Sequence, residues 1–397
     1  MITQRRINMS SVDDVLNIQG FASLEATLDL VEDNLRQASA ISEISKRVAA
    51  GQVTNAQDLR LVELTVEDFC ASCGVPGSGT SIASLESAEA QSSSILAALR
   101  RGLDMIFKAL TKALEWITNI LVSTKAARSQ ARKRVEHVLK RLDAIKDESC
   151  KTITLDAGDL NTLLVEGKRP DSFLPHFGLM RAFSDEVLSP GYIKSMEMSF
   201  KSFQHLDDMK SILEAMKQMK YKNQAIVQKF PAKPVGKNVC PLAIQTYVSE
   251  ARFVFATLDN RFLIYAKGEN VEKPVEGFYW STAQELGRRP DKAPEAEYTF
   301  KVEELREELK ESLKLLDSFD RLTDALYGPN KTLKNVRDDM QALSKNPQLG
   351  QANSELVQRA GQLYSVIRAQ LVCPAEMQVF GFKAIWQHML LAYAATA

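Results

Sequence analysis

A mainly α fold, made of long amphipathic helices with a small α+β insertion containing a β-hairpin, is predicted by three observations. Apolar residues recur three and four apart through most of the chain, glycine and proline gather at a few junctions, and one segment alternates aromatic and β-branched residues as strands do. With 397 residues, 45% of them apolar and 25% charged, the chain has the makings of an ordinary folded protein with more than one domain.

Residues 1–72 read as an acidic helical leader, in which Leu24, Leu28, Val31 and Leu35 share one helical face. The pattern breaks over 73–90, where Cys73-Gly-Val-Pro-Gly-Ser-Gly-Thr-Ser81 favours an open backbone, and a flexible linker is expected. Over 91–148 an amphipathic helix runs into a basic one. Leu103, Ile106, Phe107, Leu110, Leu114, Ile117 and Leu121 form its apolar stripe, and the helix continues or restarts through Lys125 to Arg134 and on to Leu142. Residues 149–297 read as a mixed α/β region with short runs at Ile153–Leu155 and Leu160–Val165. A helix from Tyr192 to Lys229 is expected there, packed through Met198, Phe203, Ile212 and Met216. A hairpin follows over 251–266, turning at Asp259-Asn260, with Phe278 to Trp280 as a candidate third strand. Residues 298–397 are expected to be helical at about 302–326, 330–344 and 353–394, punctuated by Pro329, Pro347 and Pro374.

The net charge of zero conceals a polarity along the chain. Residues 1–86 carry six Lys or Arg against twelve Asp or Glu, a net −6 that leaves +6 on the remainder. Twelve basic and four acidic residues lie between Arg100 and Lys146. Lys125, Arg128, Arg132, Lys133, Arg134, Lys140 and Arg141 are the candidate DNA contacts, because phosphate neutralisation needs charge density rather than a particular fold. The bland reading of this run is a solvated helix face. No aromatic residues for base stacking interleave it. The apolar face of Leu103, Phe107, Leu110, Leu114, Trp116, Ile117 and Leu121 is the candidate membrane or partner face, with packing inside the protein as the plainer alternative.

Catalytic, cofactor and metal motifs are weak. Gly74-Val-Pro-Gly-Ser-Gly79-Thr80-Ser81 has P-loop spacing, but Thr80 stands where the phosphate-binding lysine belongs and no strand precedes it. Cys70-Ala-Ser-Cys73 lacks a second Cys/His pair, and His137, His176, His205 and His388 are far apart with no ligand spacing. Five scattered cysteines point to a reducing origin rather than a disulfide framework. The first ten residues are polar and do not read as a signal peptide, and charges in the stretch from Leu103 to Val122 argue against a membrane span. No enzyme activity, cofactor, metal or small-molecule substrate is expected.

The layout of acidic helical leader, Trp-containing amphipathic helix, basic helix and later mixed region resembles the internal head, or inner-body, proteins of large tailed bacteriophages. In that family a prohead protease cuts after Glu in short motifs of a small residue, any residue and Glu. Ser84-Leu85-Glu86 and Ser87-Ala88-Glu89 match that motif beside the linker, and Ser23-Leu24-Glu25 is a further match. Glu86, Glu89 and Glu25 are therefore the candidate cleavage sites, with Glu86 and Glu89 preferred because an open backbone can be drawn into a protease. Where the family's hairpin has Gly before Asn-Arg, Asp259 stands here. The resemblance implies a structural protein inside the capsid, assembled in the bacterial cytoplasm, whose partners are packaged phage DNA, bound non-specifically, and other virion proteins. The alternatives are a membrane-active effector built on the amphipathic helix and a helical scaffold or adaptor.

Overall fold

The computed structural model describes residues 88–155, 161–203, 209–240, 248–268, 276–282, 296–344 and 352–397, with Gln245 and a few positions between Leu35 and Arg47. Its first long element is α1 (Ala88–Leu142), a single helix of 55 residues. At 1.5 Å per residue it is about 80 Å long. Gly102 is its one glycine and it contains no proline, so nothing local interrupts it. Ala88–Ala90, expected to belong to a linker over 73–90, are already helical, and the rest of that segment lies outside the described residues.

Residues Leu103, Phe107, Leu110, Leu114, Ile117, Leu121, Thr124, Arg128, Ala131, Val135, Val138 and Leu142 alternate steps of three and four along α1, and all are buried. This heptad seam faces α5 (Val302–Ser344), which runs antiparallel to it. Polar pairs line the flank of the seam, from Gln341 to Asp104 at 3.2 Å, through Asn330 to Thr118 at 2.7 Å, to Arg132 with Asp317 at 2.5 Å. The expected break between two helices at Pro329 is absent. Pro329 sits inside α5, where it leaves the Ala325 carbonyl without its usual donor but does not end the helix.

The remaining helices are α2 (Leu174–Val187), α3 (Pro190–Ser202), α4 (Met209–Val227), α6 (Ala352–Ile367) and α7 (Cys373–Ala395). α2 lies in the stretch read as short mixed elements. The helix expected from Tyr192 to Lys229 is two helices, and Met198, expected inside, is exposed. A π-helical turn, Arg368–Val372, joins α6 to α7 without a break. It places Pro374 at the start of α7, where a missing N–H is tolerated.

Between α1 and α5 the chain makes its β structure. Strands β1 (Ile153–Leu155) and β6 (Ala296–Tyr298) pair antiparallel and close the neck of the insertion, with Cys150 N donating to Phe300 O at 2.8 Å. Within the insertion β2 (Lys233–Val235), β3 (Val248–Thr257), β4 (Arg261–Gly268) and β5 (Gly277–Thr282) form an antiparallel sheet in sequence order. Asp259 and Asn260 have φ of 62° and 50°, both left-handed, within the three-residue turn that joins Thr257 to Arg261. The turn is also held from outside, because Asp259 N and Asn260 N donate to Thr162 O and Leu164 O, and Asn260 Oδ1 accepts from Gly167 N.

Both faces of this sheet are covered. Leu263, Tyr265, Phe278 and Trp280 join the main core, where Phe183 of α2 meets Phe278 edge-on at 5.0 Å, while Phe262, Ile264, Ala266 and Tyr279 pack on the other side with Cys240 and Ala369. Trp280 Nε1 donates to Cys373 O at 2.9 Å, fastening the sheet to the start of α7. Gly277 passes so close to Ala369 of the π turn that a Cβ there would overlap it.

Candidate functional site

Of the seven cations proposed to meet DNA, Arg128 does not reach the surface. It occupies a seam position of α1 and is fully buried. Its Nε donates to Asp320 Oδ1 at 2.7 Å, Nη1 to Thr124 and to Gln378, and Nη2 to Thr323 at 2.9 Å, tying α1 to α5 and α7. Burial pushes the guanidinium below its ordinary value, against the pull of Asp320. Arg132 is engaged by Asp317 and Asp320, whose carboxylates raise its pKa although burial acts the other way. Lys125 stands 3.7 Å from Asp324 with both side chains exposed. Three cations of α1 at steps of three and four therefore mate with Asp317, Asp320 and Asp324 of α5, spaced three and four apart in the opposite direction.

The other four lie further along α1. Arg141 donates to Thr396 O at 2.7 Å, capping the end of α7, and its guanidinium lies over Tyr393 at 4.5 Å. Arg134 is exposed and stacks on Trp386 at 4.7 Å. Lys133 and Lys140 are exposed. The outward charge of the basic helix is thus concentrated in Lys133, Arg134 and Lys140, with Lys125 at the rim.

The apolar face offered as a membrane or partner surface is inside the protein. Leu103, Phe107, Leu110, Leu114, Ile117 and Leu121 are buried against α5 and its neighbours, and Trp116 is half-buried against the same core. Among the described residues no helix is long and apolar enough to cross a membrane. An open cavity of about 290 Å³ lies where α1 passes the Pro329 region, lined by Leu121, Val122, Thr323, Tyr327 and Asn330 under the Lys125–Asp324 pair.

Glu25 and Glu86 lie outside the described residues, as do the glycine-rich segment, Cys70, Cys73 and His205. Glu89 falls in the first turn of α1. Cys150, Cys240 and Cys373 are free thiols in buried positions; burial pushes Cys240 up to about 11 and Cys373 well above its ordinary value. Among the described residues no group of three potential ligands could hold a metal ion.

A buried pair that the sequence pattern does not announce joins α5 to α7. His388 Nε2 lies 2.9 Å from Glu308 Oε2, and both residues are almost wholly excluded from solvent. Glu308 Oε1 accepts from Ser172 Oγ at 2.9 Å and from Phe173 N at 2.8 Å, while Phe173, Phe177 and Phe300 surround the imidazole. Serine, carboxylate and histidine are present, but the carboxylate stands in the middle. A hydrolytic triad needs the imidazole against the hydroxyl. This arrangement instead fixes the segment before α2 to the two long helices. Comparison with family models, curated proteins and solved structures finds no match.

Proposed function

We propose that the chain is an internal structural protein of the head of a large tailed bacteriophage. In this reading it is made with an acidic leader in the bacterial cytoplasm, cut by a prohead protease, and retained in the capsid with packaged DNA and other virion proteins. One observation carries the reading beyond the layout of the sequence. α1 begins at Ala88, two residues after Glu86, so that the whole α1–α5 seam and the insertion follow that site. A cut after Glu86 would remove the −6 segment while leaving the α1–α5 seam, the insertion and the C-terminal helices in one piece. The +6 remainder suits non-specific residence among DNA phosphates, through exposed cations such as Lys133, Arg134 and Lys140. A membrane-active role loses its support, because the face it needs is spent on the core.

N-terminal mass analysis of the protein from mature particles tests the proposal. The expected first residue is Ser87 or Ala90; an intact Met1 in those particles would overturn the maturation step.

A further inference from the structure

On α1, Lys125, Arg128 and Arg132 are answered by acids of α5, and a second cationic region lies elsewhere in the chain. Between Pro190 and Asn238 there are nine lysines, no arginine and four acids, Glu197, Asp207, Asp208 and Glu214. α3 and α4 form most of it as an antiparallel hairpin, joined near one end by Tyr192 Oη donating to Asn223 Oδ1 at 3.0 Å. Their inner faces are buried through Tyr192, Met196, Phe200, Ile212, Met216 and Met219.

Their outer faces carry the lysines. Lys194, Lys201, Lys210, Lys217 and Lys222 are all exposed. Two other lysines of the region are taken, Lys220 by Glu276 at 3.4 Å and Lys229 by Glu186 at 2.6 Å. Lys217 has a long exposed pairing of 3.9 Å with Glu214, and Lys194, Lys201, Lys210 and Lys222 form no ion pair among the described residues. The two outer faces adjoin, since Lys222 Nζ lies 3.2 Å from where a Cβ on Gly191 would stand. Among these lysines Tyr221 is 66% exposed. An aromatic ring left in water, one residue from Lys220 and Lys222 and one helical turn from Lys217, combines a phosphate-binding charge with a surface for a base. Lys210, Lys217 and Tyr221 share one face of α4 that runs about 16 Å, the length of several nucleotides, with Lys222 at its flank.

We propose that the outer face of the α3–α4 hairpin binds single-stranded nucleic acid, with phosphates held by Lys194, Lys201, Lys210, Lys217 and Lys222 and a base stacked on Tyr221. The pairing of charge with an exposed ring favours nucleic acid over an acidic polypeptide, which offers no base to stack. This inference does not depend on leader cleavage.

The test is fluorescence anisotropy of a labelled oligo-dT with the full chain across a salt series. Lys194→Glu/Lys217→Glu/Lys222→Glu, checked for unchanged helicity and Tm, should bind at least tenfold more weakly. Its log–log salt slope should be shallower by about 2, at roughly 0.7 for each phosphate that is no longer neutralised. Tyr221→Ala should weaken binding by roughly fivefold or more, and Tyr221→Phe should retain it, from the usual strength of stacking on a base. Equal binding by the folded triple variant overturns the proposal. So does loss of binding only on Lys133→Glu/Arg134→Glu/Lys140→Glu, which would assign the binding to α1, or equally effective competition by polyglutamate, which would assign an acidic protein partner. None of these results bears on the N-terminus of the natural protein, so failure here and failure of the maturation reading are told apart.

Discussion

Arg128 illustrates how position outweighs residue type. It stands seven residues after Leu121 and seven before Val135, in the same seam, so its charge enters the core and is met there by Asp320, Thr124, Thr323 and Gln378. Arg128→Ala should destabilise the protein by about 2–5 kcal/mol, because it empties a filled seam position and removes buried hydrogen bonds to Thr124, Thr323 and Gln378. Urea denaturation reads that loss, while the salt slope of nucleic-acid binding should not change. Glu308 is another buried charge. Burial alone would raise its pKa, but hydrogen bonds from His388, Phe173 and Ser172 hold it below the ordinary value of 4.5. A carboxylate lowered on folding stabilises the native state above its unfolded value, and this contribution is lost as pH falls through the folded value. Glu308→Gln should therefore flatten the acid limb of stability below about pH 4.5, measured as urea midpoint against pH. Gly381 of α7 is needed for space alone, since a Cβ there would run into Met180 and the ring of Phe319. Gly381→Ala should cost about 1–3 kcal/mol of stability by overpacking.

The α1–α5 pair is the element on which the rest is hung. Its rim offers a direct test of the charge match: Arg132→Glu sets a carboxylate against Asp317 and Asp320, and Asp317→Arg should restore part of the loss. A double-mutant cycle on thermal unfolding should return a coupling of about 1 kcal/mol, as befits a pair that water still reaches. The helical class and the hairpin turn at Asp259-Asn260 are legible in the sequence, because heptad spacing and left-handed turn residues are local signals. The burial of Arg128 is legible in principle, from its seam position and from the matching spacing of Asp317, Asp320 and Asp324. Reading the cations as one exposed run overlooks that match. α2 is not legible, since Pro170, Pro175 and Gly178 mask a helix whose stability comes from Phe177, Phe183 and the aromatic rings of the sheet. The pairing of β1 with β6 joins residues more than a hundred positions apart, which no periodicity can reveal.

At the scale of the whole molecule, the proposed maturation cut falls two residues before the start of α1. The seam, the closed neck at β1 and β6 and the docking of α7 all lie beyond Glu86, whereas the residues up to it carry a net −6. The proposed cleavage should thus change the charge of the protein far more than its architecture. Calorimetry of residues 87–397 beside the full chain measures this most directly. One cooperative transition within about 2 °C of the full chain's is the predicted result, a shift of the size that ~1 kcal/mol produces in a chain of this length. A fragment that melts without cooperativity, or that cannot be recovered folded, would contradict it.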